Sequence, residues 1–169
     1  MNLRNLATIY IFSGNKILMM YRIGSRVFKG ALWAGIGGHF ENDELNDPTK
    51  CVLRELFEET GITRNDIDNL KLKYITTRMA TDEIRQQYIY FADLSNHNVN
   101  ILHCDEGEIS WIEMNRILNL KMSFTNGECL KHYFNVCKNN DDIYSGVVNV
   151  LEDVPTMNFI LLRDFNTAY

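Results

Sequence analysis

The stretch from Asp47 to Gly61 constrains this chain more than any other part of it. Asp47 is a good helix N-cap, Pro48 suits the first helical position, and Gly61 suits a C-terminal stop. Between them, Thr49 to Thr60 holds helix formers and no breaker. On a helical wheel with Glu55 as origin, Glu59 falls at about 40° and Glu58 at about 300°, so the three carboxylates share one stripe. Leu53, Leu56 and Phe57 fall at about 100° to 200° and are expected to face a core. Like charges at this spacing destabilise a helix by about 0.2–0.5 kcal/mol per pair. Arg54, one turn before Glu58, offsets part of that. A divalent cation offsets more, because Mg²⁺ and Mn²⁺ prefer carboxylate and carbonyl oxygens. Upstream, Gly37-Gly38 lets backbone oxygen approach the same ion. The bland alternative is a solvated acidic helix face.

The remainder reads as strands with a late helix. Leu6–Phe12 and Lys16–Tyr21 flank the turn signal Ser13-Gly14-Asn15 and predict a β-hairpin. Gly30–Gly38 reads as a strand dissolving into glycines. Lys71–Met79 and Gln86–Leu94 predict two strands around Thr81-Asp82-Glu83, and Ile109–Glu113 a short one around Trp111. A helix is expected over Glu128–Val136, then a pair of strands at Ser145–Val150 and Asn158–Leu162. This order predicts an α+β domain with a mixed sheet packed by helices.

Composition narrows the partners. Hydrophobic residues are 46% of the 169, enough for a sizeable core, and the net charge is -5. That balance argues against bulk-charge binding to nucleic acid or to an anionic membrane. It leaves room for a small anionic ligand held through a metal ion. Cys51, Cys104, Cys129 and Cys137 never approach a C-x-x-C spacing, so zinc knuckles are out and buried reduced thiols are expected. The N-terminal apolar run is too short to span a bilayer and lacks a signal-peptide pattern, which makes the cytoplasm the expected compartment.

Arg54-Glu55-Leu56-Phe57-Glu58-Glu59-Thr60-Gly61-Ile62 resembles the core of the Nudix box, R-E-U-x-E-E-x-G-U, with U a bulky apolar residue, and every fixed position matches. Gly38 and Glu44 resemble its Gly-x5-Glu half. The segment Leu45–Leu53 is two residues longer than the family spacing, so counting back from Arg54 lands on Asn46, and Glu41 rivals Glu44 for the glutamate slot. The resemblance covers about two-thirds of the chain. It takes in the hairpin, the Trp33 strand and Asp105–Trp111, which is similar to the acidic loop before a late strand. Residues 140–169 match nothing in it.

The resemblance implies a Nudix fold: α+β, a mixed β-sheet sandwiched between helices, as one domain over 1–169 with a short C-terminal β extension. It implies metal-dependent hydrolysis of a nucleoside diphosphate linked to another moiety. Glu55, Glu58, Glu59 and the carbonyl of Gly38 would hold Mg²⁺, or Mn²⁺, and Arg54 would orient the glutamates. The base that reaches the attacking water would be Glu55, Glu106 or Glu108. Arg22, with Arg26 and Lys29 after it, could meet substrate phosphates or be solvated loop charge. His39 could touch substrate or metal, or be structural, whereas His97, His103 and His132 receive no role.

The substrate most similar layouts suggest is a purine nucleoside triphosphate, including the 8-oxo-dGTP type. Asn126, read as lying in a loop before the late helix, offers an amide to a purine edge, or simply caps that helix. Trp33, Phe124 or Tyr88 could stack on a base or belong to the core. The rivals are an enzyme acting on ADP-ribose, a nucleotide sugar or a dinucleotide, and a nucleotide-binding sensor without turnover. The expected partner is a small nucleotide, without nucleic acid or membrane, and a homodimer is left open.

Overall fold

A computed structural model describes residues 1–25 and 28–167. One mixed sheet organises them. Its strands are β1 (Asn2–Ser13), β2 (Lys16–Ser25), β3 (Phe28–Ala34), β4 (Ile36–His39), β5 (Ile67–Ala80), β6 (Glu83–Leu94), β7 (Glu108–Glu113), β8 (Ile143–Leu151) and β9 (Val154–Leu162). The lateral order is β3-β2-β1-β6-β5-β8-β9, with β4 paired to β1 and β7 to β2. The β1–β6 and β5–β8 pairs are parallel and the others antiparallel.

The predicted hairpin forms, then parts. β1 and β2 pair only at Phe12↔Ile17 and Ser13↔Lys16. Beyond that tip β2 takes β3 and β7 as neighbours, while β1 takes β4 along Leu6–Ile9. The single strand expected over Gly30–Gly38 is therefore two strands that serve opposite sides of this split. Gly37 adopts φ 145°, a conformation that favours glycine, and an added Cβ would collide with the carbonyl oxygen of Ala7.

Two apolar layers cover the sheet. On one face, α1 (Pro48–Thr60) packs Cys51, Val52 and Leu56 against Ala7, Ile9, Ile11 and Ala92. On the other, α3 (Phe124–His132) packs Cys129 and Leu130 against Tyr10, Met19, Tyr74 and Phe91. Between β7 and α3 lies the short helix α2 (Met114–Ile117). α1 forms as its caps predict: the Asp47 side chain accepts from the Lys50 backbone N–H at 3.0 Å, and Gly61, at φ 76°, returns its N–H to Phe57 O at 2.8 Å.

α1 turns a different arc to the core from the one its wheel predicts. Phe57 is 55% exposed and faces away from the core. The buried set is Cys51, Val52, Leu56, Glu59 and Thr60, so the core arc overlaps the acidic stripe and takes Glu59 with it. The late helix also begins earlier than expected. Ser123 caps it, and it continues into a π-helical turn over Tyr133–Cys137. The cysteines are all reduced, but Cys104 is only half-buried. The last two strands are longer than their sequence signal and join the sheet through β8, putting Tyr144, Met157, Phe159 and Leu161 against the α3-side core. No helix among the described residues is long and apolar enough to cross a membrane.

Candidate active site

The split between β2 and β4 exposes the backbone of Gly37 and Gly38 to the acidic stripe of α1. A Cβ on Gly38 would lie 2.6 Å from Glu55 Cδ, so a side chain there would displace that carboxylate from its present position. Glu59 is 4% exposed, accepts the Gly37 N–H at 2.9 Å and meets Arg22 at 2.7 Å. Burial pushes its carboxyl up to about 7, against the pull of Arg22 and the Gly37 N–H. Burial also raises Glu55, again opposed by an arginine, Arg54.

Arg54 is the hub of the cluster. It forks onto both oxygens of Glu44 at 2.8 and 3.0 Å, and donates to Glu55 and Glu58, each at 2.9 Å, and to the His39 carbonyl at 3.0 Å. Glu44 is 1% exposed, and the Arg54 hydrogen bonds hold its carboxyl well below the usual range, at about 2. Its Oε2 also accepts the Glu41 N–H at 2.8 Å, closing a short turn over Asn42–Glu44. Glu44, not the exposed Glu41, is thus the acid joined to the cluster. The longer loop is absorbed in that turn, which brings Glu44 back against Arg54.

Arg22 reaches from β2 to Glu59 and to the Gly37 carbonyl (2.8 Å), with Glu106 at 3.4 Å. It is therefore not a loose loop charge. Arg26 and the side chain of Lys29 lie outside the described residues. Glu106 is 61% exposed and electrostatically coupled to both Glu55 and Glu59. Glu108 opens β7 opposite Tyr21, and among the described residues no contact joins it to the α1 carboxylates. Glu58 is exposed beyond Arg54. As the side chains lie, no three acids, histidines or cysteines among the described residues converge on one point, because each α1 carboxylate is turned onto an arginine. The donor chemistry still fits a hard divalent ion: Glu55 and Glu59 flank a bare glycine backbone, and buried Glu59 draws on cationic compensation.

On the α3 side of the same split runs a second polar set that the sequence reading missed. Arg4 stands beside Arg85 in the β1–β6 pair, and Arg85 opposite Arg78 in the β5–β6 pair, so three arginines form a lateral row. Burial and the neighbouring Arg85 lower Arg78. His39 stands next to this row with part of its ring open to solvent; desolvation of the remainder, then the charges of Arg4, Arg22 and Arg85, depress its imidazole. Gln87 donates to Thr8 (2.9 Å) and to Asn126 Oδ1 (3.2 Å), and lines a cavity of about 60 Å³ with Leu6, Thr76, Arg78 and Arg85. Asn126 is neither loop nor cap. It lies in the first turn of α3, where its N–H donates to the Ser123 hydroxyl. No sequence signal links the arginines, since strand register alone makes them neighbours. Of the aromatic candidates, Trp33 leans on Tyr21 (5.1 Å) and Tyr88 on Phe40 (5.4 Å), both half-buried against the core, while Phe124 is exposed at the start of α3.

A family model described as the NUDIX domain matches residues 2–133. Among solved structures, a mutator MutT protein from Bacillus halodurans superposes with a TM-score of 0.64 at 21% identity, covering 94% of this chain and 97% of its own. A NUDIX hydrolase from Nitrosomonas europaea gives 0.68 at 17% identity over 88% and 80% of the two chains. An Ap4A hydrolase from C. elegans gives 0.61 at 16%, over 79% and 96%. At these identities the likeness is one of fold.

Proposed function

We propose, from the premise that this chain belongs to the Nudix family of pyrophosphohydrolases, that its substrate is a purine nucleoside triphosphate, cleaved to a monophosphate and pyrophosphate. The reading is supported by two polar sets that flank β1 and its β4 partner. The row Arg4–Arg85–Arg78 and the Gln87–Asn126 amide pair sit on one side of the sheet split, and the α1 acids on the other. A base seated at the amides would have the arginine row on one side and the glycine pair, leading to α1, on the other.

In this scheme Glu55 and Glu59, with the Gly38 carbonyl and exposed Glu58 beside them, would hold Mg²⁺. When bound, the ion neutralises phosphate oxygens and lowers the pKa of the attacking water. Arg54 orients Glu55 and Glu58 and is itself held by Glu44. Arg22 and the arginine row take phosphate oxygens, for which the guanidinium fork is suited. Glu55 or Glu106, the latter across Arg22, would accept the proton from water. Gln87 fixes which end of the Asn126 amide it engages, so the Asn126 NH₂ is left for an acceptor on the purine edge.

The test is a substrate panel with Mg²⁺: dGTP, 8-oxo-dGTP, ADP-ribose, a nucleotide sugar and a dinucleoside tetraphosphate. Pyrophosphate release from a purine triphosphate, preferred over the rest, is expected. Preference for a dinucleotide, a nucleotide sugar or ADP-ribose would replace this substrate with a rival. Binding without any product would make the protein a sensor. Glu59→Gln is expected to lower turnover at least about a hundredfold, the scale of losing a key electrostatic group, with an unchanged circular dichroism spectrum.

A further inference from the structure

Away from the active site, three local irregularities converge on one cavity. β5 carries extra residues twice against β6: the register shifts between Asp68 and Lys71, where Asn69 adopts φ 53°, and between Leu72 and Tyr74, leaving Lys73 unpaired in the ladder. On the opposite wall the α3 helix loosens into its π-helical turn, then delivers Lys138 and Asn140. Bulges and π-turns carry a local cost and re-aim side chains, and they gather at functional positions. The cavity between them has a volume of about 320 Å³, within the range of small-ligand sites. Its floor is the stacked pair Phe91 and Tyr133, with ring centroids 3.8 Å apart.

Its charge is the decisive feature. Lys71, Lys73 and Lys138 line it against one acid, Asp93, in a protein whose net charge is -5. Lys71 is paired with Asp141, and Asp93 takes a hydrogen bond from Asn69. Lys73 is 2% exposed and meets only neutral oxygens, the Asn140 carbonyl at 2.6 Å and Asn140 Oδ1 at 3.4 Å. Among the described residues no carboxylate lies in ion-pair range of it. The acid whose charge reaches it, Asp141, is the one already paired with Lys71, so two lysines share one carboxylate and a bound anion would supply the missing counter-charge.

We propose that this cavity is a binding site for a small phosphate-bearing anion, held by Lys73 and Lys138 with its body over the Phe91–Tyr133 floor. The site lies on the α3-side core layer, away from the α1 acids, and goes beyond the hydrolytic reading. Inorganic phosphate and a nucleoside monophosphate present the same chemistry to it.

The test is equilibrium binding to the full chain in EDTA, by calorimetry, with inorganic phosphate and guanosine monophosphate as separate probes. Saturable binding is expected, retained in Glu59→Gln and in Arg85→Gln, and weakened roughly tenfold by Lys73→Met, the scale of one charge-assisted hydrogen bond. Lys138→Gln, at an exposed position, should weaken it without touching the fold and serves if Lys73→Met does not fold. Tighter binding of the nucleotide identifies the source as a nucleotide, and equal binding identifies the phosphate group alone. No saturable binding, or binding lost in Arg85→Gln and untouched by both lysine variants, overturns the proposal. Because the readout needs no turnover, its failure is separate from failure of the hydrolytic reading.

Discussion

Arg54 makes five charged or carbonyl contacts from one guanidinium, and its partner Glu44 is almost wholly removed from water. Removing the cation alone leaves a buried carboxylate unpaired. Arg54→Met should therefore cost about 3–5 kcal/mol in urea unfolding, and adding Glu44→Gln should recover a good part of it. The pair also sets an acid limit. Arg54 holds Glu44 at about 2 against an ordinary carboxylate value near 4.5, so the stability it contributes is complete above pH 4.5 and fades as the pH falls toward 2. The midpoint of unfolding should drop over that window in the natural chain, and less steeply in Glu44→Gln. At this scale the motif made the α1 glutamates and Arg54 legible. The standing of Glu44 over Glu41 was not, because it depends on a short turn that folds a lengthened loop back, and spacing alone counts residues along the chain.

At the scale of the element, α1 shows what a wheel can and cannot give. Caps and stop were readable from Asp47, Pro48 and Gly61, since capping is local chemistry. The buried arc was misplaced, because a wheel ranks residues by polarity and the fold buries Glu59 beside Leu56. Leu56→Ala is expected to cost about 2–5 kcal/mol. Phe57→Ser should stay within about 0.5 kcal/mol, as an exposed site does. Equal costs in denaturation would put Phe57 in the core after all. For β4, Gly38→Ala pushes on the Glu55 carboxylate and not on the hydrophobic layer. It should lower turnover by at least about tenfold while the melting temperature moves little; a parallel loss of both would locate its role in folding. The π-helical turn after α3 had no sequence signal, since its residues follow no period that separates it from an α-helix.

Across the whole molecule, the C-terminal hairpin turns out to be part of the main sheet. Phe159 of β9 stacks on His132 of α3 at 4.2 Å, and Tyr74 of β5 bridges to His132 and Cys137 through its hydroxyl. Phe159→Ala should then destabilise the whole domain by about 3 kcal/mol, in one transition shared by far-ultraviolet and fluorescence signals. A separate early transition would mean that the hairpin melts alone. The pair of strands was expected from the sequence, but not its destination, because parallel pairing with β5 is a non-local choice. The arginine row was hidden for the same reason.

The hairpin that parts above its tip behaves as a pair of tongs. Two rungs at Phe12–Ile17 and Ser13–Lys16 form the pivot, and the jaws carry Arg22 on one arm and Arg4 on the other. The gape is set by pairing along each arm, β4 on one and β3 with β7 on the other. Because only those two rungs join the arms, a substitution at the tip, far from any reacting atom, is expected to change the spacing between Arg22 and Arg4.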